Sequence, residues 1–376
     1  MSNRQHKTLL PKGLEDHLDG DAVFEARLLN GLMTLFDRFG YACVRPPLLE
    51  YEDALFSGSA TNLKTSAFRM MDPYTGAMLA LRPDITPQIV RIACNRLQGN
   101  CQPLRLCYHG QVVRLCCDDV LDSRQFTQVG LEIVGVAKPS RVAADAEAIL
   151  LAILSLEEGG IEEVIVDVTL PQAVQSILQA AALDSEEVDA LRLALNHKDS
   201  SVIANLPSSL RTDLEILLYN CGPAQDALNI LEKQHFVHAG ARLLAQIEHC
   251  KQVIARVSKN RPDITITLDP LEQRGFEYHQ GLGFNLYAQE AKTPLAMGGS
   301  YIGPYQAWST GMTVYLETFK PLLKVPEIQE TKNYGLECSL NDLLAAQARG
   351  ERASWDLTSH QQDSNHNVNS EPDAHA

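Results

Sequence analysis

The sequence predicts an α+β fold: a mixed, mainly antiparallel sheet flanked by helices and interrupted by a helical insertion. Three observations lead there. Alternating strand-like segments occur in both halves of the chain, at 103–115, 124–136 and 263–287. Residues 21–39 carry apolar side chains at helical spacing, and residues 171–258 form an Ala/Leu-rich block with the same spacing throughout. The boundaries that follow are a first core segment at 1–170, the helical insertion at 171–258, a second core segment at 259–325 and an acidic tail at 326–376, its end disordered.

Bulk properties narrow the class. With 376 residues, 45% of them hydrophobic, the chain can bury a substantial core. No apolar run approaches the roughly 20 residues that span a bilayer, and the polar start "MSNRQHK" lacks a secretion signal, so a cytoplasmic protein without membrane contact is expected. Nine cysteines without a C-x-x-C pair fit reduced thiols better than disulfides or structural zinc. The net charge of -15 argues against a general nucleic-acid surface. From Glu327 onward nine acids and three bases contribute -6 of it, and the final "TSHQQDSNHNVNSEPDAHA" is polar and without aromatics.

Taken in order, Phe24, Leu28, Leu32, Leu35, Phe36 and Phe39 mark an amphipathic helix that Gly40 ends. "YACVRPPLLEYEDALF" reads as a strand broken by Pro46-Pro47, which suits an edge or an interface. In "LALRPDITPQIVR", Leu79 and Leu81 end a strand and Pro83 bars helix before it, while Thr86-Pro87 read as an N-cap followed by proline. Asp84 therefore stands at a strand-to-helix corner. There it either receives a ligand ammonium, or pairs with Arg82, or caps the helix.

Two antiparallel strands follow, "PLRLCYHGQVVRL" and "RQFTQVGLEIVGV". In the second, Val129, Leu131 and Ile133 share one face and Gln128, Gly130 and Glu132 the other. That polar face is either solvated or part of a site. Ser140 caps a helix that ends at Gly159-Gly160, and "EEVIVDVTL" is a strand. His235, His238 and His249 in the helical block are either metal ligands or ordinary half-exposed histidines, and no carboxylate or cysteine stands at matching spacing. "DITITLD" is a strand, and the next places Leu282, Phe284 and Leu286 opposite Gly281, Gly283, Asn285 and Tyr287. Those glycines clear room for a ligand or for a neighbouring strand. "MGGSYIGPYQAWSTGMTVYLETF" closes with a glycine turn, a short strand and a helix.

This order of segments resembles the catalytic core of the histidyl-tRNA synthetases, a class II aminoacyl-tRNA synthetase-like fold, over residues 8 to about 325. "FGYACVRPPLLE" is similar to the dimer motif ending in proline, "LRPDITPQIVR" to the Leu-Arg-Pro-Glu-x-Thr segment, "RLCCDDVLDSRQFTQVGLE" to the second class motif and "RGFEYHQG" to the histidine-specific segment. The resemblance implies that Asp84 and Thr86 hold the amino group of histidine and that Arg114 faces its carboxylate. Gln128 and Glu132 would line the pocket, and Arg274 and Tyr278 would close it. Arg82 becomes a structural neighbour of Asp84.

Departures from that family are as informative. Adenylation needs cations around the ATP phosphates. Here Arg-x-Glu-Arg has become Arg114-Leu115-Cys116-Cys117, followed by the acidic Asp118-Asp119-Val120-Leu121-Asp122. Gly-Leu-Glu-Arg has become Tyr315-Leu316-Glu317-Thr318, and Gly-Gly-Arg-Tyr-Asp has become Gly298-Gly299-Ser300-Tyr301-Ile302. His279 replaces a tyrosine, as a base or as a pocket wall. A synthetase would also continue into an anticodon-binding domain of roughly 100 residues, and only the acidic tail follows Lys324.

A synthetase-like core that keeps an amino-acid pocket and loses its chemistry resembles the regulatory-subunit family of ATP phosphoribosyltransferase. That resemblance implies no catalysis and no cofactor, a class II-type dimer, a short-form catalytic partner subunit, and histidine as feedback effector in the first step of histidine biosynthesis. A divergent, active amino-acid-activating ligase is the rival reading, and a tRNA-binding scaffold is disfavoured by the charge.

Overall fold

The computed structural model describes residues 9–355 apart from 98, 100–101, 117–122, 182, 184, 197, 199, 273–278, 290, 304–306, 320–321, 323–331 and 335–337. Arg274, Tyr278, Cys117 and the acidic run 118–122 lie outside the described residues, as does the polar end from 356.

Residues 1–323 form one compact unit. Its first helix, α1 (Asp19–Arg38), buries Leu28, Leu32 and Phe36, the i, i+4, i+8 stripe that the spacing predicts. Strand β1 (Ala42–Val44) follows, the prolines interrupt, and β2 (Leu49–Tyr51) joins β3 (Arg69–Met71) and β4 (Met78–Leu81) in a small antiparallel sheet ordered β2-β4-β3. After β4 the chain turns into α2 (Thr86–Asn95) with Pro87 in its first turn.

Strands β5 (Leu104–Val113) and β6 (Gln125–Val134) pair antiparallel. Helix α3 (Arg141–Glu158) then leads to β7 (Val164–Thr169). Ser140 precedes α3 and makes no side-chain cap. The helical block contains α4 (Pro171–Ala180), α5 (Ser185–Asn196), α6 (Ser208–Leu218), α7 (Ala224–Leu231) and α8 (Gly240–Asn260), with a two-residue strand β8 (Gly222–Pro223) before α7. Strands β9 (Thr265–Asp269), β10 (His279–Ala288), β11 (Ala296–Ile302) and β12 (Trp308–Tyr315) complete the unit. The closing segment expected to hold one strand and a helix holds two strands and the 3-10 turn Leu316–Phe319. Those two strands pair antiparallel, with Ile302 opposite Trp308, because backbone groups buried in mid-sheet need a neighbouring strand as partner.

The main sheet has nine strands in the order β1-β5-β6-β12-β11-β10-β7-β9-β8. Only β1/β5 and β7/β9 pair parallel, so the mixed, mainly antiparallel character expected from the alternation holds. One face carries Val129, Leu131, Ile133, Met312, Val314, Phe284, Leu286, Val166 and Val168 against α3 and α8. Small alanines at 144, 148 and 152 let α3 approach closely. Each fully buried aliphatic side chain here contributes on the order of 1.5–3 kcal/mol. Helices of the 171–258 block feed aliphatic side chains into that same core, among them Ile177, Leu214, Leu228 and Leu243.

Two histidines of that block meet buried aspartates distant in sequence. His238 Nδ1 lies 2.9 Å from Asp213 Oδ2, and His249 Nε2 lies 2.7 Å from Asp145 Oδ2. The first pair ties the loop before α8 to α6 and the second ties α8 to α3, and among the described residues neither histidine belongs to a group spaced for a metal.

The second unit, residues 324–376, contains the parallel pair β13 (Lys332–Tyr334) and β14 (Ala353–Trp355) around α9 (Leu340–Ala348). Ser339 and Asp342 form a reciprocal capping box at the start of α9. The acidic tail is thus structured in part.

Candidate functional site

On the opposite face of the sheet the polar residues of β6 are buried, not solvated. In β6 every residue from Phe126 to Val134 is buried, including Gln128 and Glu132 at 1% and 2% exposure. Helix α2 covers this side, packing Ile85, Ile89 and Ala93 against Leu106, Tyr108, Val112 and Phe126. A buried polar group needs partners, and these have them.

Gln128 is the hub. Its Oε1 accepts the Ile85 N–H at 2.9 Å, and its Nε2 donates to Asp84 Oδ1 at 3.0 Å and to Thr313 Oγ1 at 3.2 Å. Asp84 Oδ1 also accepts the Thr86 N–H at 2.8 Å, which ties off a donor at the start of α2. The capping expectation for Thr86 is corrected here: Thr86 is the first helical residue, and its hydroxyl meets Tyr108 Oη at 3.1 Å instead. Tyr108 Oη continues to Thr313 Oγ1 at 2.9 Å.

Glu132 lies further along the same face of β6. Tyr301 Oη donates to its Oε2 at 2.8 Å, and the Thr86 and Tyr108 hydroxyls on the same buried face favour its charged form. Burial nonetheless pushes its carboxyl up to about 8, with the Asp84 charge adding to the rise. Tyr108 is pushed well above its ordinary value by burial and by the Glu132 and Asp84 charges, so it is a neutral hydroxyl.

The glycines answer their own question. Gly283, Gly299 and Gly311 are successive partners across β10, β11 and β12, and Gly311 pairs with Glu132. A Cβ on Gly311 would fall inside the Glu132 carboxylate, so the bare backbone there makes room for that side chain. Gly281 is taken out of the row by a register shift between His279 and Gly283. His279 is buried, its ring 6.5 Å from that of Tyr301 in an edge arrangement, and its carbonyl accepts Gln172 Nε2 at 2.7 Å.

Arg82 does not pair with Asp84. Its Nε donates to the Gln111 carbonyl at 2.8 Å and its Nη1 to the Pro46 carbonyl at 3.0 Å and to Gln88 Oε1 at 3.3 Å. It braces the corner from behind. Arg114 donates from Nε to the Pro83 carbonyl at 3.1 Å and stacks its guanidinium 4.7 Å from the Phe126 ring centroid, which places it beside the Asp84 corner. Asp84, Thr86, Gln128 and Glu132 are therefore brought into one network, with Arg114 at its margin.

Tyr108, Thr313 and Gly311 were not singled out from sequence. The alternation of "LRLCYHG" puts Leu106 and Tyr108 on one face, and that signal could have found Tyr108.

Thr318 stands where the resembling family has an arginine. It is buried, and its hydroxyl donates to the Tyr315 carbonyl at 2.6 Å. Beside it Glu317 Oε1 accepts the Thr127 N–H at 2.7 Å, and burial, helped by Glu25, pushes its carboxyl up to about 7. His17, Glu25 and Glu317 form the one grouping among the described residues with ligand atoms within 4.8 Å of one another. Thr127 already holds both carboxylates, its hydroxyl donating to Glu25.

A family model for histidyl-tRNA synthetase matches residues 13–319. The ATP phosphoribosyltransferase regulatory subunit of Paramagnetospirillum magneticum is 37% identical over 87% of this chain and 85% of its own. The chain belongs to the ATP phosphoribosyltransferase regulatory subunit family.

Solved structures agree on the fold. An ATP phosphoribosyltransferase regulatory subunit/histidyl-tRNA synthetase from Bacillus halodurans superposes with a TM-score of 0.78 at 22% identity, covering 95% of this chain and 96% of that one. An ATP phosphoribosyl transferase (HisG:HisZ) complex from Thermotoga maritima gives 0.59 at 16% identity, covering 78% and 97%. The regulatory-subunit family's class II synthetase-like α+β architecture is therefore the architecture of this chain. No helix among its described residues is long and apolar enough to cross a membrane.

Proposed function

We propose that this chain is the non-catalytic regulatory subunit of ATP phosphoribosyltransferase, acting in the first step of histidine biosynthesis with a short-form catalytic chain as partner. In this reading it is a cytoplasmic subunit that dimerises through the segment around Pro46-Pro47, and the catalytic partner performs the chemistry.

One observation carries the loss of synthetase chemistry. Thr318 commits its hydroxyl to its own backbone at a position where adenylation needs a cation facing phosphate. The buried network around Asp84, Gln128 and Glu132 supports an amino-acid pocket that outlasts that chemistry.

Histidine is the effector this pocket suits. An α-ammonium meets Asp84 and the Thr86 hydroxyl, a carboxylate meets Arg114, and the imidazole meets Glu132, with Arg274 and Tyr278 closing the site. The coupling between this pocket and the partner's active site is an allosteric free energy, typically about 1–3 kcal/mol.

The test mixes this chain with the short catalytic chain of the same organism and titrates histidine in a phosphoribosyltransferase assay, with ATP-pyrophosphate exchange measured on this chain alone. Activation of the partner or new histidine sensitivity, without exchange, is the expected result. Histidine-dependent exchange would overturn the reading in favour of an amino-acid-activating ligase.

A further inference from the structure

Three stretches of chain distant in sequence bring a histidine and two glutamates together at the start of β6. The Gly13 carbonyl accepts the Arg124 N–H at 2.7 Å, which anchors the segment before α1 there. Four residues on, His17 Nδ1 lies 3.0 Å from Glu25 Oε2 of α1. Glu317, in the 3-10 turn after β12, completes a group whose three ligand atoms lie within 4.8 Å of one another. Thr127 holds one oxygen of each carboxylate and leaves the other. Its hydroxyl donates to Glu25 Oε1 and its N–H to Glu317 Oε1 at 2.7 Å, so Glu25 Oε2 is turned to His17 and Glu317 Oε2 is buried without a hydrogen-bond partner. A buried carboxylate oxygen that receives no donor is costly, and a cation relieves it.

We propose that His17, Glu25 and Glu317 bind one divalent transition-metal ion of the Zn²⁺ class, through the His17 Nδ1 and one oxygen of each carboxylate, with water in the fourth position. Ligand atoms about 2.0–2.2 Å from one Zn²⁺ lie roughly 3–4 Å apart, so small side-chain rotations bring this group onto a single ion. An imidazole beside two carboxylates selects such an ion over Mg²⁺ or Ca²⁺, which take oxygen ligands. The Thr127 hydrogen bonds fix the two carboxylates in the way that supporting partners orient metal ligands elsewhere. On binding, the ion replaces the contact between His17 Nδ1 and Glu25 Oε2, and the proton held there leaves to solvent.

The role of the ion is structural. It joins the segment before α1, α1 itself and the turn after β12, and a ligand that binds only the folded chain stabilises it. This assignment is independent of the regulatory reading, because it stands on a group outside the Asp84, Gln128 and Glu132 network.

The experiment strips the full chain with chelator, titrates it with Zn²⁺ by calorimetry and records the visible spectrum of the Co²⁺-loaded protein. The expected result is one ion per chain, a cobalt spectrum without a thiolate charge-transfer band, a melting temperature raised by Zn²⁺ but not by Mg²⁺, and slower amide hydrogen exchange in residues 13–19 and 316–319. The spectrum separates this site from the nine cysteines. His17→Ala and Glu317→Gln should each weaken the ion by more than the roughly 10–100-fold that losing a supporting hydrogen bond costs. Glu317→Gln keeps an oxygen for the Thr127 N–H, and His17→Ala leaves both Thr127 bonds in place, so at least one folded variant is available, with circular dichroism as the check. No bound ion, a cobalt spectrum dominated by thiolate, or full affinity retained in folded His17→Ala overturns the proposal.

Discussion

Gln128 holds Asp84 by a hydrogen bond from Nε2 to Oδ1 of 3.0 Å while its own Oε1 accepts the Ile85 N–H at 2.9 Å. A residue from the middle of the sheet thereby sets the angle of the strand-to-helix corner. Gln128→Ala leaves the Ile85 amide and the Thr313 hydroxyl short of a buried partner, at a cost of about 1–3 kcal/mol. Urea unfolding should show a loss of that size with an unchanged m-value, and an unchanged midpoint would mean that water replaces the amide without cost.

Asp84→Asn separates structure from binding. Asparagine keeps an oxygen that accepts the Thr86 N–H and removes the charge offered to an ammonium. Thermal stability should hold near that of the unaltered chain while histidine binding weakens roughly ten- to a hundredfold, the effect of losing a charge-assisted bond of about 1.5–3 kcal/mol. Calorimetric titration decides it, and unaltered affinity would remove Asp84 from the effector site.

The Glu132 carboxyl, raised to about 8 in the fold from an ordinary 4.5, holds its proton more tightly in the native state than in the unfolded chain. Its contribution to stability is therefore complete below about pH 4.5 and is lost as pH rises through 8, a change on the order of a few kcal/mol at most. Unfolding free energies across that window should fall more steeply for the unaltered chain than for Glu132→Gln. Parallel slopes would show that another group controls the dependence. A cationic ligand beside Glu132 favours its charged form, so histidine binding near pH 7 should release a proton, visible as a buffer-dependent enthalpy.

Gly311→Ala places a methyl group where the Glu132 carboxylate lies and close to the Leu131 carbonyl. Displacement of Glu132 should cost histidine affinity roughly tenfold or more and lower the melting temperature by several degrees, within the roughly 1–3 kcal/mol of an overpacked core. Retained affinity in a folded variant would mean that Glu132 does not touch the ligand.

Arg82→Lys tests the brace behind the corner. A lysine cannot reach the Gln111 and Pro46 carbonyls together in a fixed planar fork, so the substitution should destabilise by about 1.5–3 kcal/mol despite keeping the charge. Differential scanning calorimetry gives the answer, and a melting temperature equal to that of the unaltered chain would show that the fork geometry is dispensable.

Much of this was legible in the chain itself. Period-two alternation over 124–136 separated Val129, Leu131 and Ile133 from Gln128 and Glu132, and period 3.6 located α1, because an element that buries one face must repeat its apolar residues at its own geometric period. Ordered motifs carried the family, and the substitutions at Cys116 and Thr318 carried the loss of phosphate chemistry. Tertiary structure alone decided that the polar face of β6 is sealed, because alternation cannot tell water from a covering helix, and here α2 is that cover. It also decided what Asp84 touches. The amide that holds Asp84 stands 44 residues further along the chain, and the Thr313 hydroxyl stands 185 beyond that. Neither partner leaves a local trace, since hydrogen bonds between distant strands depend on register and not on spacing.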